Sequence, residues 1–172
     1  MFRFKIFVFF VVTALLLSCS KEELKKSTIK EKSLELQVGE AYKEGMVALE
    51  DGDVLYAAKK FNEAEILFPQ AESASQSAIM AAYSYYTQDY YGDAIAELKR
   101  FVRVYPTHKD LGYVYYLLAI CYYEQIVDEK KDLQSIVNAK ENFNVVLKNY
   151  PNSEYAIDAE FKIDLIDDIL AA

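Results

Sequence analysis

The chain has 172 residues, room for about one domain, with 19 Lys+Arg against 27 Asp+Glu and a formal net charge of −8. That sign argues against nucleic acid as a partner, because phosphates select a basic face, and 5 Gly with 3 Pro are too few for the tight turns of a sandwich or barrel. One His and two Cys leave little material for a catalytic triad or a zinc cage, so the composition reads as helical, acidic and non-enzymatic, with no metal and no cofactor.

In chain order, the first element is an address. Arg3 and Lys5 precede an apolar run of 12 residues, Ile6–Leu17. At about 1.5 Å per residue this spans ~18 Å, well short of the ~30 Å hydrocarbon core of a bilayer. Residues 1–18 are therefore predicted to be a cleaved secretory signal. Its end, Leu16-Leu17-Ser18-Cys19, looks like a bacterial lipobox, in which the Cys19 thiol is acylated and becomes the first mature residue. Ser20 in the following place, where Asp would resemble an inner-membrane retention signal, implies sorting to the outer membrane. Several acyl chains, at about 0.8 kcal/mol per buried CH₂, give durable anchoring. Residues 19–33 are mostly Lys, Glu and Ser after the Cys, the composition of a solvated tether. Cys121 is then the remaining thiol, so no intrachain disulfide is available.

From Leu34 the apolar spacing is helical, and three segments end alike, at Leu67-Phe68-Pro69, Val104-Tyr105-Pro106 and Asn149-Tyr150-Pro151. Proline stops a helix because it lacks an N–H and excludes the helical conformation for its predecessor. Twelve residues before each Pro stands an Ala (Ala57, Ala94, Ala139), eight before it a large apolar residue (Phe61, Leu98, Phe143), and five before it Ala64, Phe101 and Val146. Thirteen residues after Pro69 and Pro106 come Ala82 and Ala119, with Gly45 in the equivalent slot of the first unit. Small residues on one helix let its partner approach, and a large residue fills the remaining space. These offsets resemble the tetratricopeptide repeat, with a period of ~34 residues. Pro69 to Pro106 is 37 residues and Pro106 to Pro151 is 45, so the longer third unit carries its extra residues around Val127–Leu133.

The predicted architecture is an all-α solenoid over residues 34–172. Three antiparallel helix pairs are expected at 34–51 and 53–67, 72–88 and 90–104, and 110–127 and 133–149, followed by a final helix from Ser153. Asp51-Gly52 and Asp89 supply turn and N-cap chemistry between partners. The last helix carries one apolar stripe of Tyr155, Ala159, Ile163, Ile166 and Leu170 and a second of Ile157, Phe161 and Leu165. A terminal cap needs a polar outer face. Two stripes predict a neighbour on each side, hence a C-terminal truncation of a longer solenoid, with an oligomer contact as the rival explanation.

The concave face of such repeats is lined by the first helix of each pair. Its positions here are Tyr42, Met46 and Leu49, then Ile79, Tyr83 and Tyr86, then Tyr113, Tyr116, Ile120 and Tyr123. Tyrosine offers a rigid apolar body and a polar tip, suited to holding peptides at low entropic cost. The plain alternative is that these rings wedge between neighbouring repeats, as Tyr85 and Tyr122 are expected to do. Tyr83→Ala with Tyr116→Ala should separate the two, weakening peptide capture in the first case and stability in the second. His108 reads as a surface residue, Cys121 as a buried structural thiol, and the acids Asp158, Glu160, Asp164, Asp167 and Asp168 as a solvated face. No glycine-rich phosphate loop, nucleophile elbow or metalloprotease motif occurs.

Lipobox, charged tether and degenerate repeats together resemble the BamD (ComL/YfiO) family of outer-membrane assembly lipoproteins. The most specific stretch is Tyr150-Pro151-Asn152-Ser153-Glu154-Tyr155-Ala156-Ile157-Asp158-Ala159, followed by Lys162 and Leu165. The resemblance implies a lipid-anchored scaffold on the periplasmic side of the bacterial outer membrane, within the β-barrel assembly (BAM) complex. It would dock to the POTRA domains of the barrel subunit BamA, sit beside other BAM lipoproteins, and hold targeting segments of unfolded outer-membrane proteins. The family has about five repeats, against the three and a helix found here. The competing assignment is another tetratricopeptide lipoprotein, such as a secretin pilotin or a periplasmic regulator of cell-wall enzymes.

Overall fold

The computed structural model describes residues 33–125 and 133–171. The signal, Cys19 and the tether up to residue 32 lie outside the described residues, as do 126–132 in the long third unit. Among the described residues there are seven helices and no strand: α1 (Leu34–Glu50), α2 (Val54–Leu67), α3 (Glu72–Tyr86), α4 (Tyr91–Val104), α5 (Leu111–Glu124), α6 (Leu133–Asn149) and α7 (Ala156–Ala171). Each packs against the next in the chain. The links within the first two pairs, 51–53 and 87–90, are short enough to force antiparallel neighbours, and the longer link falls between α5 and α6.

Local chemistry sets these bounds. Ser33 Oγ accepts the Leu36 N–H at 3.3 Å and Asp53 Oδ1 accepts the Tyr56 N–H at 3.1 Å, capping α1 and α2. Gly52 turns the chain at φ +80°, a region glycine enters without steric cost. α2, α4 and α6 each end two residues before their proline. Asp89 departs from its expected role as a cap. It adopts φ +62° and accepts the Tyr91 hydroxyl at 2.7 Å, leaving the N-terminus of α4 without a side-chain cap. Asp is among the few residues that tolerate this conformation, so it serves the turn rather than the helix.

The residues counted back from the prolines form the core. Ala57, Ala94 and Ala139, Phe61, Leu98 and Phe143, and Ala64, Phe101 and Val146 are all fully buried, as are Ala82 and Ala119. A Cβ at Gly45 would lie 2.9 Å from Phe61 Cε1, so the small residue is what admits the ring. α3 continues the theme with buried Ser77 and Ser84, whose hydroxyls donate back to Ser73 O at 2.9 Å and Met80 O at 2.8 Å and so need no partner on another helix.

Polar contacts fix α2 on α4. Glu65 is buried, and Arg100 grips its carboxylate with two bonds, Nη1 to Oε1 at 2.9 Å and Nη2 to Oε2 at 2.6 Å. Tyr105 adds a hydroxyl to Oε1 at 2.8 Å, and Asn62 donates to Glu97 at 3.2 Å. Burial and the bond to Glu65 push the Tyr105 phenol up to about 12. At the other end, α7 buries Ala159 and Ile166 and exposes Ile157 and Phe161. Of its two sequence stripes, the first turns Ala159 and Ile166 into the bundle but leaves Leu170 exposed, and the second exposes Ile157 and Phe161 while Leu165 is half-buried.

Candidate functional site

The candidate face divides into two regions. The first joins α1 to α3. Tyr42 and Met46 are half-buried against the Phe61 cluster, and the Tyr42 ring meets Phe61 edge-on at 5.2 Å. Tyr42 also walls a groove of about 660 Å³ with Val38 and Gly39 of α1, Ser73 and Gln76 of α3, and His108 and Lys109 of the turn before α5. The groove exists partly because Gly39 puts no side chain into it; a Cβ there would meet nothing within 4 Å.

The second region is a run of rings across α3, α5 and the start of α7. Tyr83 and Tyr86 lie 6.1 Å apart, and Tyr86 continues to Tyr91 at 6.2 Å. Tyr113 meets Tyr155 at 5.4 Å, and Tyr116 stacks on Tyr155 at 5.1 Å while touching Phe143 at 6.1 Å. Tyr116 donates its hydroxyl to Asp158 Oδ2 at 2.7 Å, and Lys162 Nζ sits 4.5 Å over the Tyr123 ring. Burial, first, and then the neighbouring Tyr83, Tyr155 and Tyr86 hydroxyls hold the Tyr113 phenol well above its ordinary range. Burial and the bond to Asp158 do the same for Tyr116, and burial with nearby Glu124 raises Tyr86. Tyr86, Tyr113 and Tyr116 therefore present neutral hydroxyls and apolar ring faces at neutral pH.

Tyr42, Met46, Tyr83, Tyr86, Tyr113, Tyr116 and Tyr123 are all half-buried on these two regions. Ile79 is not on the face. It is buried within the core shared with α4 and α5, as is Ile120, because an aliphatic chain with no polar tip loses nothing by full burial. Three residues of the face were not expected there: Tyr155, Asp158 and Lys162. A signal for Asp158 does exist, since it stands seven residues after Pro151, the register of Gln76 after Pro69 and Tyr113 after Pro106. Asp158 thus leaves the solvated set, whereas Glu160, Asp164, Asp167 and Asp168 are exposed.

His108 is likewise half-buried, not a free surface residue. Its ring stands edge-on to Phe101 at 5.4 Å, Nδ1 accepts the Asp110 N–H at 3.2 Å, and Nε2 lies 2.9 Å from Ser75 Oγ. With Nδ1 accepting, Nε2 carries the proton and donates to Ser75, whose own hydroxyl donates to Glu72 O at 3.0 Å. Histidine here pins the turn before α5 to α3. Cys121 is buried, and that burial pushes its thiol up to about 12. Among the described residues no group of three or more His, Cys, Asp or Glu could hold a metal ion, and no helix is long and apolar enough to cross a membrane.

Paired helices with small-on-large packing at proline-phased positions and an aromatic inner face define a helical-repeat protein of the tetratricopeptide class. Solved structures agree on the fold. The first tetratricopeptide domain of Spaghetti (RPAP3), bound to the HSP90 peptide SRMEEVD, superposes with a TM-score of 0.59 over 80% of this chain and 95% of its own, at 15% identity. The Hsp90 co-chaperone Cns1 from Saccharomyces cerevisiae gives 0.64 over 83% of this chain and 43% of its own, at 13% identity. The particular family follows from sequence: the profile described as YfiO, outer membrane lipoprotein, matches residues 35–172, and the chain belongs to that family. Among its relatives, the outer membrane protein assembly factor BamD of Caulobacter vibrioides is 35% identical over 162 residues, covering 94% of this chain and 52% of the relative. That of Rickettsia prowazekii is 35% identical over 130 residues, covering 76% and 52%. The chain spans about half the length of these curated relatives.

Proposed function

We propose that the chain is a non-enzymatic scaffold of the outer-membrane β-barrel assembly machinery, tethered through acylated Cys19 to the periplasmic face of the outer membrane. In this reading its concave face holds extended targeting segments of unfolded barrel proteins, and it docks to the POTRA domains of BamA beside the other BAM lipoproteins. Membership of the YfiO outer membrane lipoprotein family and the naming of its relatives as outer membrane protein assembly factors support the setting. The observation that carries the binding role is the half-buried tyrosine run from Tyr83 to Tyr155, with the Tyr42 groove as a second region. An extended barrel strand presents alternate aromatic and aliphatic side chains, and rings at 5–6 Å spacing leave apolar faces and hydroxyls to receive them.

The test is to purify the full-length lipoprotein from detergent-solubilised membranes and titrate it with a fluorescent peptide copied from the aromatic-ended terminal strand of an outer-membrane barrel. BamA in the purified complex and saturable peptide binding weakened at least about fivefold by Tyr83→Ala are the expected results. A secretin or a murein synthase in place of BamA, or peptide binding indifferent to Tyr83→Ala, overturns the assignment. Labelling with palmitate, abolished by Cys19→Ser, checks the anchor.

A further inference from the structure

The side of the repeats lined by their second helices carries a second feature, independent of the tyrosine face. Counting from the prolines aligns the two junctions between second helices. At the first, α2 offers Asn62 and Glu65, seven and four residues before Pro69, to Glu97 and Arg100 of α4, nine and six before Pro106. These four side chains bridge the helices, with the Glu65 carboxylate held by Arg100 at 2.9 and 2.6 Å. At the second junction the same registers hold Lys99 and Val102 on α4 against Asn142 and Val145 on α6. Those four residues cannot form a carboxylate–guanidinium bridge, and the place is an open groove of about 370 Å³.

Its charge is the reverse of the molecule's. Lys99 and Arg103 stand exposed on one wall, and neither has an anionic partner among the described residues; Lys99 instead rests 5.3 Å over the Tyr122 ring. Glu141 is the one acid on the opposite wall, beside Asn138 and Asn142. Between them lie Leu118 and Tyr122. In a chain of net charge −8, two unpaired cations over an apolar floor form a local site for negative charge.

We propose that this groove between α4 and α6 is a docking site for an acidic segment of a partner protein, one whose carboxylates pair with Lys99 and Arg103 while an apolar side chain meets Leu118 and Tyr122. The partner carboxylate supplies at the second junction what Glu65 supplies within the chain at the first. Arg103 suits this role, because its planar fork can grip a carboxylate with two bonds.

The test replaces Glu141→p-benzoylphenylalanine in the full-length lipoprotein, irradiates intact cells and maps the adduct by mass spectrometry. The expected adduct lies on a partner segment rich in Asp and Glu, and its yield falls at least about tenfold in the Lys99→Glu, Arg103→Glu variant, equivalent to ~1.4 kcal/mol. Both substituted side chains are exposed, so an unchanged melting temperature confirms that the variant is folded. No adduct, an adduct on a segment without acidic residues, an adduct to a second copy of this chain, or a yield indifferent to charge reversal overturns the proposal. Placing the same photoprobe by Tyr83→p-benzoylphenylalanine reports separately on the concave face, so the two sites fail or stand independently.

Discussion

Two glycines on one helix show how a single atom decides the packing. Gly45 and Gly39 both lie inside α1, yet a Cβ at position 45 would meet the Phe61 ring at 2.9 Å, while one at position 39 would meet nothing. Phe61 is fully buried and pinned by the Tyr42 ring, so it cannot swing aside. Gly45→Ala is therefore expected to destabilise the fold by about 1–3 kcal/mol, and Gly39→Ala to stabilise it by about 0.5–1 kcal/mol through reduced backbone entropy in the unfolded chain. Urea unfolding of the two variants measures both; equal signs would break the argument. The Gly45 contact was legible from the sequence because it is a matter of register along repeated units. The roles of His108 and Asp158 were not, because each depends on one partner far along the chain, Ser75 at 33 residues and Tyr116 at 42. Only a register count carried into α7 would have placed Asp158, and nothing in the local sequence foretells the Ser75 contact.

At the scale of the helix, the tyrosines separate into those whose rings tie elements together and those whose ring contact stays on their own helix. Tyr116 joins α5 to α7 through Tyr155, Phe143 and Asp158 at once. Tyr83 touches Tyr86 on its own helix. Pairing Tyr83 with Tyr116 as equivalent groove residues thus merges two different roles. Tyr116→Ala should cost about 2–3 kcal/mol in chemical denaturation, and Tyr116→Phe about 1 kcal/mol, the value of its hydrogen bond. Tyr83→Ala should cost clearly less than Tyr116→Ala while weakening peptide binding; comparable losses would assign both rings to packing. The α2–α4 bridge obeys a similar logic. Arg100→Ala leaves the buried Glu65 carboxylate with Tyr105 alone and is expected to destabilise by about 1–3 kcal/mol. Replacing both partners, by Arg100→Met with Glu65→Leu, should recover much of that loss because no charge is left buried. Helix existence and phasing were readable beforehand because proline, alanine and large apolar residues recur at fixed offsets. The bridge was not, since its members are ordinary surface residue types whose pairing is set by how far one repeat turns upon the next.

For the molecule as a whole, the abundance of tyrosine makes alkali its specific weakness. Eight of the 15 tyrosines, Tyr85, Tyr86, Tyr91, Tyr105, Tyr113, Tyr116, Tyr150 and Tyr155, have phenols raised above 10.0, in most of them chiefly by burial, and Tyr105 reaches about 12. The Cys121 thiol moves the same way, from 9.0 to about 12, because its buried site disfavours the thiolate. In every case the neutral form is favoured by folding, so the unfolded chain gives up its protons at lower pH than the folded one. The stabilisation is fully present below about pH 9 and is lost as pH rises through 9–12. Because these groups span α3 to the start of α7, the loss should be cooperative across the repeats and not confined to one end. Melting temperature is expected to fall continuously above about pH 9, and the phenolate absorbance of the native protein should rise at higher pH than that of the urea-denatured chain. Cys121 should react with a thiol reagent at neutral pH only after denaturation. Superimposable native and denatured titration curves would mean that the tyrosine rings are solvated, and the packing that shapes the tyrosine face would have to be redrawn.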